Sequence, residues 1–190
     1  MESALIVSNS EKDTALCTVM LNAASVYQIT SLQSVDDARE LTLKQDFDLV
    51  IVNAPLPDES GEIFSRHIAS KGVSQVILMV KKELFDSVSA ACEEDGVLTI
   101  SKPADKALLW SALSLAKSVQ NRLKRTLAEN AQLKQKIEDI RIIDRAKCLL
   151  ISHMKMSEQE SHRYIEKQAM DIRSSKRIVA EGILKRYEHF

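Results

Sequence analysis

The sequence predicts an α/β domain, a long helix after it, and a small all-helical module at the C-terminal end. Three observations carry that reading. Short apolar runs alternate with amphipathic segments over residues 1–116. Proline and glycine are absent from Ala104 to Met154. Serine-capped helical segments rich in Lys and Arg follow.

In order, "ALIVS" (4–8) reads as a strand, and "EKDTALCTVMLNAA" (11–24) as a helix with apolar spacing at Ala15, Val19 and at Leu16, Met20. "YQITSLQ" (27–33) is strand-like, and Ser34 caps a helix over 34–45. "FDLVIVN" (47–53) is the third strand, and its loop "APLPDESG" is punctuated by Pro55, Pro57 and Gly61. A helix over 61–71, a buried strand "QVILMV" (75–80) and a helix over 85–96 stopped by Gly96 come next. "VLTIS" (97–101) is the last strand and 104–120 the last helix, with Trp110 expected in core or helix-interface packing. Five strand–helix units on short connections require a parallel sheet covered on both faces.

Within 117–140, Leu123, Thr126, Asn130, Leu133, Ile137 and Ile140 repeat at intervals of three and four with charged residues between. This is a modest heptad, and a parallel homodimer through a coiled coil would cover it, with Asn130 setting register. The alternative is that the stripe packs on its own sheet domain. Beyond 141, "KMS" interrupts the helix, Ser157 and Glu160 form a capping box, and Ser174 or Ser175 caps a third helix running to Phe190. Ile143, Ala146, Leu150, Ile165, Ala169, Ile178, Val179 and Ile183 are the expected core of this three-helix module.

Composition separates the two ends. Residues 1–116 carry 9 Lys and Arg against 17 Asp and Glu, net −8; residues 117–190 carry 17 against 10, net +7. Two modules with different partners are implied, although a solvated lysine-rich helix would give the same count. No run of eighteen apolar residues exists and "MESALIVSNS" lacks a basic leader region, so no membrane span or signal peptide is expected. Cys17, Cys92 and Cys148 match no zinc or disulfide spacing, which suits a reduced, cytoplasmic protein. No cofactor or metal site is expected.

Residues 1–116 resemble the receiver domain of two-component response regulators. The resemblance rests on the order of elements, the P-x-P-x-x-x-G loop at 55–61 and "SKPAD" at 101–105. It implies a flavodoxin-like fold with strand order 2-1-3-4-5, an acidic pair for Mg²⁺, an aspartate that accepts a phosphoryl group, a hydroxyl residue and a lysine. In this chain Ser8 and Asn9 stand at the acidic pair, Asn53 at the acceptor and Val80 at the hydroxyl, and only Lys102 survives. A carboxamide forms no acyl phosphate, and Mg²⁺ prefers carboxylate oxygens. Asp48 and Asp58 are poorly placed substitutes. The expectation is a degenerate pseudo-receiver, not switched by phosphorylation, in which Lys102 bonds to Asn53 or to a strand-end carbonyl, or points to solvent. Its input then falls to dimerisation, a ligand or a regulatory protein at this domain, or the protein is constitutively active.

The stretch 143–184, with "DRAK", a methionine–serine break, "AMDIR" and "IVAEGIL", resembles the ANTAR family of RNA-binding transcription antitermination regulators. Cys148 and Ser161 depart from the small residues usual there, glycine and alanine. Arg145, Lys147, His162, Arg163, Arg173, Lys176 and Arg177 supply groups of the kind that hold RNA phosphates and stack on loop bases. The resemblance implies a dimer that binds paired stem-loops in leader transcripts and so prevents terminator formation. The alternatives are a protein-interaction scaffold, or a DNA-binding regulator for which no helix-turn-helix spacing is present. An enzyme is disfavoured, because no nucleophile–base set or glycine-rich phosphate loop occurs.

Overall fold

The computed structural model describes residues 1–187. The chain forms β1 (Ser3–Val7), α1 (Glu11–Ala23), β2 (Gln28–Leu32), α2 (Val35–Lys44), β3 (Leu49–Asn53), α3 (Glu62–Ser70), β4 (Gln75–Lys81), α4 (Phe85–Glu93), β5 (Leu98–Lys102), α5 (Lys106–Met154), α6 (Glu158–Asp171) and α7 (Lys176–Tyr187). The helix expected to reach Phe190 thus has its last three residues outside those described. Two compact units are present, Met1–Arg125 and a second beginning at Thr126.

In the first unit the five strands form one parallel sheet in the order β2-β1-β3-β4-β5. Alternation along each strand divides two cores. Leu5, Val7, Val50, Val52, Leu78 and Val80 face Ala38 of α2, Phe64 and Ile68 of α3 and Cys92 of α4. Ala4, Ile6, Leu49, Ile51, Ile77, Met79 and Ile100 face Cys17 and Leu21 of α1 and Leu109, Leu113 and Ala116 of α5. This is the period-two logic of a strand buried on both sides. Ser34 caps α2 as expected, its side chain accepting from Asp37 N.

Trp110 corrects the sequence reading. It lies one residue, or about 100°, past the buried Leu109, and is 43% exposed. Asp48 and Asp58 have structural work. Asp58 Oδ2 accepts from Val35 N (2.6 Å) and Asp36 N (2.9 Å) at the start of α2. Asp48 accepts from Glu2 N (2.6 Å) and Lys124 Nζ (2.9 Å). Burial works to raise the Asp48 pKa, but the bonds from Lys124 and Glu2 prevail and hold it below its ordinary value. A depressed carboxylate stabilises the fold above its unfolded pKa and loses that contribution as pH falls through the folded one. Asp48→Asn should therefore lower stability by roughly 1 kcal/mol at neutral pH. It should also flatten the acid limb of urea unfolding below about pH 5.

In the second unit, Ala146, Leu150, Ile165, Ala180, Ile183 and Leu184 form the core, with Ile143 and Val179 partly buried against it, and Ala169 is buried too. Ile178 is the correction: it is 55% exposed. Two residues before Ala180, it stands about 200° around α7 from the face that Ala180, Ile183 and Leu184 define. The capping box of α6 is complete, with Ser157 Oγ accepting from Glu160 N (3.3 Å) and Glu160 Oε2 from Ser157 N (2.8 Å). Ser175 is the residue that caps α7, accepting from Ile178 N at 3.3 Å.

Candidate functional site

At the carboxyl end of the sheet, Asn53 ends β3 and is 3% exposed. Its Oδ1 accepts from Lys102 Nζ at 2.9 Å, and its Nδ2 donates to Ser8 Oγ and to Asp13 Oδ2, each at 3.0 Å. Lys102 also donates to the Ala54 carbonyl. Both partners expected for Lys102 are thus engaged at once. The amide joins a cation to an anion, which an aspartate could not do, because it would offer no donor to Asp13. Burial lowers the Lys102 pKa; Asp13 pulls it up and Lys81 pushes it down again.

Of the residues predicted for this site, Ser8, Asn53 and Lys102 meet. Asn9 is exposed and joins no side-chain bond among the described residues. Val80 belongs to the opposite core, beside Val52 and Phe64. Asp13 was missed, because only the first turn of α1, capped by Ser10, brings it over the strand ends. Cys17 is buried nearby with its thiol pushed up to about 11, first by burial and then by Asp13, so it stays protonated. Among the described residues no group of three His, Cys, Asp or Glu could hold a metal ion.

The loop from Asn53 to α3 is held by Gly61, whose φ of +80° and whose distance of 2.7 Å from a built Cβ to Val52 Cγ1 admit no side chain.

In the second unit, several cations of the expected set are already paired. Lys147 bridges Asp144 (2.8 Å) on α5 and Glu158 (2.9 Å) on α6. His162 Nε2 lies 3.3 Å from Glu166, which also binds Lys176. Arg177 bonds Asp139 at 2.7 Å and Glu181 at 2.8 Å. These contacts tie the helices together and orient the side chains. Arg145 is exposed on α5. Arg163 and Arg173 are exposed and make no ion pair among the described residues.

Sequence reasoning missed a hollow of about 450 Å³ at the α5–α6 turn. Met154, Met156 and Tyr164 give it an apolar and aromatic wall, and Lys155, Arg163 and Lys167, against the one carboxylate Glu160, give it charge. The methionines flanking the break were the available signal. Farther along α5, Leu123 is half-buried, Thr126 and Asn130 are exposed, and Leu133, Ile137 and Ile140 are 56%, 52% and 58% exposed.

Comparison with known proteins assigns the family. Residues 4–114 match the response regulator receiver domain. The chain belongs to the response regulator receiver family. Residues 131–184 match the ANTAR domain, so an ANTAR domain follows the receiver. The transcriptional regulatory protein PdtaR of Mycobacterium tuberculosis is 29% identical over 149 residues, which is 78% of this chain and 73% of that protein. The signal receiver domain of an HD domain-containing protein from Pseudomonas fluorescens superposes with a TM-score of 0.57 at 23% identity, over 65% of this chain and 92% of that one. A two component transcriptional regulator AraC from Clostridium phytofermentans gives 0.58 at 18% identity, over 65% and 98%. These likenesses concern the fold of the receiver. No described helix is long and apolar enough to cross a membrane.

Proposed function

We propose that this ANTAR-containing response regulator is an RNA-binding transcription antiterminator that acts as a dimer without aspartyl phosphorylation. The observation that carries the RNA reading is the match to the ANTAR domain over 131–184. Two copies, paired through the exposed stripe Leu133–Ile137–Ile140 of α5, would each hold one hairpin of a paired stem-loop. The terminator hairpin then cannot form and polymerase reads on. The proposed division is a pseudo-receiver over 1–116, a coiled-coil segment over 117–140 and the RNA-binding module over 141–190.

Arg163 and Arg173 are the better phosphate contacts of the expected set, because Lys147, Lys176 and Arg177 must first exchange a carboxylate for a phosphate. Tyr164 offers a stacking face for a splayed loop base at the α5–α6 hollow. Arg163→Ala should weaken RNA binding and reduce the slope of log affinity against log salt by about one unit or less. Tyr164→Ala should cost about 1–3 kcal/mol of affinity with the slope unchanged.

Non-phosphorylation is supported by the Ser8–Asn53–Asp13–Lys102 network: the residue that ends β3 is an amide, which accepts no phosphoryl group, and the nearby Asp13 carboxylate is engaged by Asn53. Incubation with a small-molecule phosphodonor and Mg²⁺ should leave the protein mass unchanged; a labile phosphoryl adduct would overturn this part. The RNA reading is tested by selecting bound RNAs from the source organism's transcripts with the full chain and with a truncation ending at 140. Two-hairpin leaders enriched by the full chain alone support it, and enrichment that survives the truncation refutes it.

A further inference from the structure

A hollow of about 490 Å³ opens beside Asn53 at the carboxyl end of the sheet. Lys12 on the first turn of α1, Lys81 at the end of β4, Lys82 just after it and Lys102 at the end of β5 line it. Asp13 and Glu83 are the carboxylates on its wall, so four cations face two anions. This excess of positive charge stands in a segment, 1–116, whose net charge is −8.

The lysines are not explained by structure. Lys12, Lys81 and Lys82 make no ion pair or hydrogen bond among the described residues. Lys81 and Lys102 are register partners on adjacent strands, so both side chains rise on one face, two residues beyond the buried Met79 and Ile100 of that face's core. Placing two ammonium groups side by side costs energy unless an anion relieves the repulsion. Lys102 has three donors, of which Asn53 and Ala54 take two. The third is available to the hollow. Leu16, Cys17 and Met79 provide an apolar floor. The position is also at the carboxyl ends of the strands, the end of an open parallel sheet where ligands are bound. Its volume lies within the range of small-molecule sites.

We propose that this hollow binds a small organic phosphate non-covalently, with Lys12, Lys81, Lys82 and Lys102 neutralising its charge. The receiver domain would then take its input as a bound anion where relatives with an aspartate take a phosphoryl group. The proposal is independent of what the ANTAR domain binds.

Inorganic pyrophosphate is a suitable probe. Its binding to the full chain is measured by isothermal titration calorimetry without divalent metal, with ionic strength held constant by chloride. Two variants of equal charge change are compared: Lys81→Gln/Lys82→Gln at the hollow and Lys155→Gln/Lys167→Gln in the ANTAR domain. All four lysines are exposed, so both variants should keep the far-ultraviolet circular dichroism of the parent. The expected result is saturable binding that weakens about tenfold or more in the first variant and is unchanged in the second. Absence of saturable binding, equal weakening in both variants, or weakening confined to the second would overturn the proposal.

Discussion

Ile137→Glu/Ile140→Glu is expected to convert the protein to a monomer and to lower its affinity for a two-hairpin RNA by about 10²–10⁴-fold. Both residues are more than half exposed in a chain considered alone, so the substitution removes little from the fold of one copy. In a parallel pair, each falls at the seam, where a buried glutamate is costly. Once the copies separate, the second hairpin is no longer captured at high effective concentration, and affinity falls to that of one module. Sedimentation equilibrium reads the first effect and fluorescence anisotropy the second. A single-hairpin RNA serves as the internal control, because its affinity should not change. A variant that stays dimeric would place the interface elsewhere. A monomer that keeps full affinity for the two-hairpin RNA would remove the need for a dimer.

Gly61→Ala is expected to destabilise the first unit by roughly 2–4 kcal/mol. Two effects add. Alanine is strained at the left-handed φ of +80°, and its methyl carbon would lie 2.7 Å from Val52 Cγ1. Val52 is fully buried in the core between β3 and Phe64 of α3, and a β-branched side chain there has little freedom to move. The substitution therefore pushes on β3 next to Asn53. Urea unfolding followed by Trp110 fluorescence, which reports on this unit, measures the loss. A change under about 0.5 kcal/mol would mean that the loop relaxes freely and that the P-x-P-x-x-x-G spacing has no packing reason. Gly72→Ala is a useful comparison, since it also has positive φ but nothing within 4 Å of a built Cβ; its cost should be the smaller one of strain alone.

What the sequence disclosed is what local chemistry specifies. Short continuous apolar runs located β1, β3 and β4. Ser34 and the Ser157–Glu160 box marked helix starts, because a cap is decided within four residues. The bond between Lys102 and Asn53 was legible from the receiver-like spacing once the acceptor was seen to be an amide. What stayed hidden depends on tertiary approach. Asp13 carries no signal until α1 is laid over the ends of β1 and β3. Lys12, Lys81, Lys82 and Lys102 come from three separate stretches, and only strand order and register bring them to one hollow. Trp110 and Ile178 were misplaced for a related reason: hydrophobicity argues for burial, but a helix has one buried face, and rotation about its axis decides which residues share it. In the second unit, the sequence supplied a list of cations but not their partners, so it could not separate Lys147, held between two helices, from Arg163, exposed and without an ion pair among the described residues.

Recognition of RNA hairpins by the ANTAR domain of this response regulator decides the proposed function. It is tested most directly by equilibrium binding of the full chain to a two-hairpin leader RNA, to a single hairpin and to duplex DNA of equal length, across a series of salt concentrations. Binding should be tightest to the two-hairpin RNA and weaker to one hairpin, with affinities that fall as salt rises and the RNA preference retained. Absence of RNA binding at low salt, or duplex DNA bound as tightly as RNA, would contradict it.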